Sequence, residues 1–159
     1  QSMEFSPVNM PKLFQRFKEL NFPYFQKDDV EFEMESEDIT IEAEESKLIR
    51  VLQNLVSNAI DSFDDEGGRV SLLARKKNDG VEVIVQDNGQ GVPENIRDRM
   101  FEPFVTFGKS SGTGLGTAIV KSIVEAHRGN IRFETAQNRG TTFYIWLPKH
   151  QPLNVAPRG

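Results

Sequence analysis

Between positions 48 and 63 the apolar residues fall at 48, 51, 52, 55, 56, 59, 60 and 63. Steps of three and one alternate, which is the spacing of an amphipathic helix with one buried face. At about 100° per residue the opposite side collects Arg50, Asn54, Ser57, Asn58 and Asp61. Asn54, Asn58 and Asp61 stand at i, i+4 and i+7, so they form one polar stripe on a rigid element. Elsewhere the period is two. Residues 30–35 and 38–42 read as short strands, with Val30, Phe32 and Met34 on one face and Ile39 and Ile41 on the next. Residues 69–77 and 81–87 predict an antiparallel hairpin around Asn78-Asp79-Gly80, a strong turn signal. Residues 130–135 and 141–147 predict two more strands, joined around Asn138-Arg139-Gly140.

Three further helices complete the pattern. Asn9 caps the first, which carries Pro11 in its first turn and a stripe of Leu13, Phe14, Phe17 and Leu20, and which Pro23 ends. Residues 93–100 suit a short helix, stopped by Phe101-Glu102-Pro103-Phe104. Residues 117–128 form the last, with Ala118, Ile119, Ile123 and Ala126 on its apolar side and Gly129 as the C′ residue. The tail from Pro148 onward is expected to be poorly ordered.

Composition narrows the reading. A chain of 159 residues suits one domain with a core of useful size. A formal net charge of −5 argues against nucleic acid or an anionic membrane surface as partner. Without cysteine, disulfides and thiolate metal sites are excluded, which fits a reducing compartment. No apolar run is long enough to span a bilayer, and no signal peptide is visible. Residues 1–3 read as a cleavage and cloning remnant, and the chain as a fragment of a longer protein.

Two glycine-rich loops carry the chemistry. The strand over 81–87 breaks into Asp87-Asn88-Gly89-Gln90-Gly91-Val92-Pro93. Its glycines permit close approach of backbone to a flat ligand. An aspartate at a strand end accepts a hydrogen bond from an exocyclic amine such as that of adenine. The second stretch, residues 105–116, holds Lys109, Gly112, Gly114 and Gly116 and runs straight into a helix. Glycine-rich backbone feeding a helix N-terminus is an anion site, because free N–H groups and the helix dipole face the ligand. Two carboxamides in line, Asn54 and Asn58, offer neutral oxygens to a hard cation such as Mg²⁺, which also borrows phosphate oxygens. Neither the dinucleotide fingerprint nor the eight-residue phosphate loop is present.

Taken in order, these stretches resemble the catalytic ATP-binding domain of sensor histidine kinases, within the superfamily that also holds gyrase, Hsp90, MutL and the anti-sigma kinases. Asn54-Leu55-Val56-Ser57-Asn58-Ala59-Ile60-Asp61 is similar to the N box, and Asp87-Asn88-Gly89-Gln90-Gly91 to the first glycine box. Phe101-Glu102-Pro103-Phe104 resembles the F box, Gly112-Thr113-Gly114-Leu115-Gly116 the second glycine box. Val124-Glu125-Ala126-His127 and Gly140-Thr141-Thr142-Phe143 resemble later landmarks. The resemblance covers residues 30–148. It implies residues 4–29 as linker and first helix, 30–148 as the catalytic domain and 149–159 as tail. The implied fold class is α/β, an α+β two-layer sandwich with a mixed, mostly antiparallel sheet against about three helices and ATP between helices and lid.

The resemblance also implies roles. Asn58 ligands Mg²⁺ with Asn54 assisting. Asp87 reads the adenine amine while Gly89 and Gly91 let the base approach, and Thr142 lies near the base. Gly112, Gly114, Leu115 and Gly116 cradle phosphates, Lys109 adds a charge, and Phe104 with residues 105–111 forms the lid. Asp61, Val92 and Thr113 complete the ATP-binding set. Hydrolytic members of the superfamily carry glutamate where this chain has Asn54; asparagine cannot act as a general base, which suits a kinase. The chain departs from the commoner pattern at Glu44, at Arg50, in a lid one residue longer, and at Phe107-Gly108.

The implied function is transfer of the ATP γ-phosphoryl to a histidine on a dimerisation hairpin, with a response regulator downstream. That hairpin is not in the sequence, whose two histidines are His127, read as structural, and His150 in the tail. The fragment is expected to be monomeric and its parent a homodimer. Two alternatives stand beside this: a serine-type kinase of the same fold, anti-sigma-like, and a non-catalytic ATP-sensing module.

Overall fold

The computed structural model describes residues 3–25, 29–64, 66–103, 105 and 116–152. A five-stranded sheet forms one layer, in the order β2 (Val30–Ser36), β4 (Gly68–Lys77), β5 (Gly80–Asp87), β7 (Gly140–Pro148), β6 (Asn130–Ala136). Among the described residues only the β2–β4 pair is parallel. A separate ribbon pairs β1 (Ser6–Asn9) with β3 (Thr40–Ala43). The second layer contains α1 (Met10–Phe25), α2 (Glu45–Asp61) and α4 (Gly116–Ala126), with the single turn α3 (Glu94–Arg97) to one side. The expected mixed, mostly antiparallel α/β sandwich is therefore present, with four helices among the described residues.

The hydrophobic patterns say where the core lies. Leu48, Val51, Leu52, Leu55, Val56 and Ala59 of α2 are buried, on the stripe that its spacing defines. They meet Val70, Leu72 and Ala74 of β4, Val81, Val83 and Val85 of β5, and Phe143, Ile145 and Leu147 of β7. Each Val, Leu, Ile or Phe side chain among them contributes about 1.5–3 kcal/mol on burial. The β4–β5 hairpin turns through Asn78 (φ 47°) and Asp79 (φ 56°), the two left-handed positions that a tight hairpin turn requires. The sheet's other face carries Arg75, Lys77, Glu82, Tyr144 and Trp146. There Glu82, only 3% exposed, takes both Arg75 and Lys77 as partners. Burial favours its neutral form, but hydrogen bonds from Lys77 and Arg75 outweigh that and hold its carboxyl below the usual range.

Four local expectations need correction. Residues 6–9 are a strand, not linker; its partner β3 lies more than 30 positions away, beyond the reach of a local pattern. Asn9 does cap α1, its Oδ1 accepting the Lys12 N–H at 3.2 Å. Pro23, however, lies inside the last turn instead of ending the helix, so the bond that its missing N–H forfeits is lost where the helix is already ending. At the end of α4, Arg128 and not Gly129 takes the left-handed conformation, at φ 63°. Arg128 N–H bonds the Glu125 carbonyl and Gly129 N–H the Val124 carbonyl, the paired bonds of a Schellman motif one residue earlier than expected. Gly129 serves instead as a close approach, since a Cβ there would strike the Trp146 carbonyl. Finally, the tail is anchored at least as far as Gln151, whose Nε2 donates to the His127 carbonyl at 2.6 Å and whose N–H reaches Glu42 Oε1.

His127 is fully buried and joins α4 to the start of α2. Its Nε2 accepts the Glu44 N–H at 3.1 Å and its Nδ1 faces the Ile123 carbonyl at 2.9 Å. A ring that accepts at Nε2 and donates at Nδ1 is neutral. Burial holds it below the ordinary histidine range, against the pull of Ile123 and Glu44 and with help from Lys47. Its role is structural, as the sequence suggested.

Candidate functional site

The site begins at the end of β5. The ladder pairs Gln86 with Thr142, so Asp87 stands one step further on, beside Thr141. The Thr141 N–H donates to Asp87 Oδ1 at 3.3 Å, and the Gly89 N–H donates to the same oxygen at 2.8 Å. Burial raises the Asp87 carboxyl to about 6, while Gly89, Thr141 and the Ser62 hydroxyl oppose the rise. A buried carboxylate with donors on one oxygen keeps acceptor capacity on the other.

The first glycine loop is shaped by what it touches. A Cβ on Gly89 would overlap the Ser62 hydroxyl, and Gly91, at φ +83°, lies against the Ala136 carbonyl. Both positions demand glycine. Val92 is buried and its N–H donates to Thr135 Oγ1 at 2.9 Å. Arg97 Nε returns to the Val92 carbonyl at 3.1 Å.

The other half of the site lies along α2. Asn54, Asn58 and Asp61 are half-buried on its polar stripe. Gly116, where α4 starts, faces Asn54: a Cβ there would sit 3.9 Å from the Asn54 carboxamide, an ordinary contact. At the far end of α2, Ser62 lies against Gly89. Eight residues separate Asn54 from Ser62, about 12 Å of helix. One helix thus spans from the N-terminus of α4, beside Asn54, to the buried carboxyl of Asp87, beside Ser62. Among the described residues no three or more His, Cys, Asp or Glu side chains cluster to hold a metal. Asn54 and Asn58 offer carboxamide oxygens, which suit a hard cation completed by phosphate oxygens and water.

The structure brings Asn54 to Gly116, and Asp87 to Gly89. It separates Thr142 from Asp87: Thr142 shares the outer sheet face with Gln86, because neighbours on a strand alternate sides. The residue beside Asp87 is the buried Thr141. Phe104, Lys109, Gly112, Thr113, Gly114 and Leu115 lie outside the described residues. Sequence reasoning missed Ser62, Thr141 and Thr135. Ser62 bonds back to the Ala59 carbonyl at 2.6 Å, a habit of serine at helix ends that carries no functional signal by itself. Thr141 and Thr135 become visible only with the strand register.

Comparison with known proteins agrees with this geometry. Residues 43–151 match the family described as histidine kinase-, DNA gyrase B- and HSP90-like ATPase. Sporulation kinase A of Bacillus subtilis is 38% identical over 115 residues, covering 72% of this chain and 19% of that protein. The chain thus spans about a fifth of that relative. Among solved structures, the nucleotide-free catalytic domain of histidine kinase ThkA superposes with a TM-score of 0.82 at 32% identity, covering 93% of this chain and 97% of that one. ThkA in complex with the response regulator TrrA gives 0.75 at 29% identity, over 92% and 42% of the two chains. Full-length ShkA in complex with AMPPNP gives 0.82 at 30% identity, over 93% and 32%. The chain belongs to the histidine kinase-, DNA gyrase B- and HSP90-like ATPase family, and within it to the ATP-binding catalytic domains of histidine kinases.

Proposed function

We propose that this domain binds ATP along α2 and presents its γ-phosphoryl to a histidine on a dimerisation hairpin of the same parent protein, from which a response regulator takes it. The observation that carries the reading is the strip along α2, with the Asp87 carboxyl at one end and the start of α4 at the other. Asp87 accepts the adenine amine, Gly89, Gly91 and Val92 form the wall against the base, and Thr141 takes the place first given to Thr142. Asn58 holds Mg²⁺ with Asn54 assisting, and Asp61 lies further along the same stripe. Bound Mg²⁺ neutralises charge on the phosphates. Gly112, Thr113, Gly114, Leu115 and Gly116 supply backbone N–H groups to the phosphates, Lys109 a charge, and Phe104 the edge of the lid. The chain's own work is positioning and electrostatic stabilisation, which is most of what phosphoryl transfer asks of a protein. Asn54, which cannot act as a base, leaves water unactivated.

Similarity to ThkA, solved with a response regulator, supports that partner class and histidine as the acceptor. Similarity to ShkA, solved with AMPPNP, supports an adenine nucleotide as ligand. Among the described residues no helix is long and apolar enough to cross a membrane; we place the domain in the cytoplasm on the function proposed. The experiment is a calorimetric titration of the domain with a non-hydrolysable ATP analogue, with and without Mg²⁺, beside the GTP counterpart. Tighter binding of the adenine nucleotide than of its weakly bound GTP counterpart, strengthened by Mg²⁺, is the expected result; no binding by folded protein overturns the reading.

A further inference from the structure

The first glycine loop is held from two sides. On one, the Gln90 N–H donates to the Ser62 carbonyl at 3.2 Å. On the other, the β6–β7 hairpin reaches over it: the Asn138 N–H donates to the Gln90 carbonyl at 2.8 Å, and Gly91 lies against Ala136. One side chain joins this clamp to the base end of the site. Thr135 Oγ1 accepts the Val92 N–H at 2.9 Å, lies 3.2 Å from the Gly140 carbonyl, and lies 3.0 Å from Thr141 Oγ1. The Thr141 N–H in turn reaches Asp87.

A hydroxyl has one hydrogen and two lone pairs. All three Thr135 contacts form together in a single way. One lone pair takes the Val92 N–H, the hydrogen goes to the Gly140 carbonyl, and the second lone pair takes the Thr141 hydroxyl hydrogen. That arrangement saturates Thr135. It also turns the Thr141 hydrogen away from Asp87, leaving Thr141 an acceptor toward the base end. Asp87 and Thr141 then present acceptors together. At C6 adenine carries an amine and guanine a carbonyl oxygen, so acceptors that face the C6 substituent favour adenine.

We propose that Thr135 is a positioning residue that sets base preference: its hydroxyl fixes the Gly91–Val92 backbone against Asp87 and fixes Thr141 as an acceptor. This inference rests on the reading of Asp87 as the adenine contact. Without the Thr135 hydroxyl, Thr141 is free to rotate and donate to a guanine carbonyl, and the Val92 N–H loses its partner.

Thr135→Val keeps the side-chain shape and removes the hydroxyl; Thr135→Ser keeps the hydroxyl. Calorimetry with non-hydrolysable ATP and GTP analogues should show Thr135→Val weakening the ATP analogue about tenfold, the effect of one buried hydrogen bond. The ratio of ATP to GTP affinity should narrow by about threefold or more, and Thr135→Ser should restore both. Equal weakening of both nucleotides, or none, overturns the proposal, because a purely structural role leaves the ratio unchanged. Amide exchange at Val92 in the free protein gives a readout independent of nucleotide. It should speed up in Thr135→Val and not in Thr135→Ser; equal rates remove the clamp. Thr141→Val is a second variant, which should narrow the ratio without altering Val92 exchange; an unchanged ratio there also overturns the proposal. If wild-type protein binds neither nucleotide, the ATP reading fails along with base preference, while Val92 exchange still decides the clamp.

Discussion

Thr141 donates its backbone N–H to Asp87 Oδ1 at 3.3 Å, across 54 positions of sequence. The contact ties the end of β5 to the start of β7. It also loads one side of the carboxylate, because the Thr141 and Gly89 N–H groups both donate to Oδ1. The energetics of this one group govern how the site responds to mutation and pH.

Replacing Asp87 by Asn preserves an oxygen for the two N–H donors but turns an amide toward the adenine amine, donor against donor. ATP affinity is expected to fall by roughly 1–3 kcal/mol. Unchanged affinity would falsify the assignment of the adenine contact.

Asp87 also sets a pH dependence. Its carboxyl lies at about 6 in the fold against an ordinary 3.8. The group ionises first in the unfolded chain, so it withdraws stability as pH rises from about 4 to about 6. The full effect is on the order of 2–3 kcal/mol. ATP affinity should weaken as pH falls through about 6 in wild type and stay flat in Asp87→Asn. Titrations at pH 5 and pH 7.5 check this, and parallel profiles for the two proteins would refute it.

His127 works in the opposite direction. Its folded value lies below the ordinary 6.5, so the fold loses stability as pH drops below that value and the unfolded chain takes up a proton. In wild type the trends of Asp87 and His127 offset each other in mild acid. Asp87→Asn should therefore be more acid-sensitive than wild type in urea denaturation, although the same change spares the neutral protein a buried charge. His127→Ala should cost about 2–4 kcal/mol, from the cavity and the unpartnered Glu44 N–H.

Asn58→Ala should reduce the dependence of ATP-analogue binding on Mg²⁺, with less effect on binding without metal. Full retention of the Mg²⁺ effect places the ion elsewhere.

Glu82 lies on the outer sheet face and receives Arg75 Nη2 at 2.6 Å and Lys77 Nζ at 3.0 Å. Its lowered carboxyl contributes stability above the ordinary 4.5, and that contribution is lost as pH falls through the folded value. Glu82→Gln should lower stability by about 1–3 kcal/mol at neutral pH, and the difference should close in strong acid. ATP-analogue affinity measured alongside should not change, since the residue faces away from α2.

By itself the sequence determined most of what depends on neighbours within one or two turns. The spacing of Leu48, Val51, Leu52, Leu55 and Val56 defined the buried face of α2 and, opposite it, the Asn54–Asn58 stripe. Asn78-Asp79-Gly80 specified a tight hairpin, and Asp87 was placed at a strand end because a glycine loop follows it. The order of these motifs along the chain was enough to indicate an ATP-binding kinase domain. Tertiary structure alone decided whatever needed two distant segments in register. It put Thr141 rather than Thr142 beside Asp87, because a one-residue step along a strand reverses the side-chain face. It paired residues 6–9 with β3 and set Ser62 under Gly89. It moved the left-handed cap to Arg128, since the backbone at Gly129 is pressed against Trp146. Local preference acts over a few residues, whereas register is fixed by the packing of the whole core.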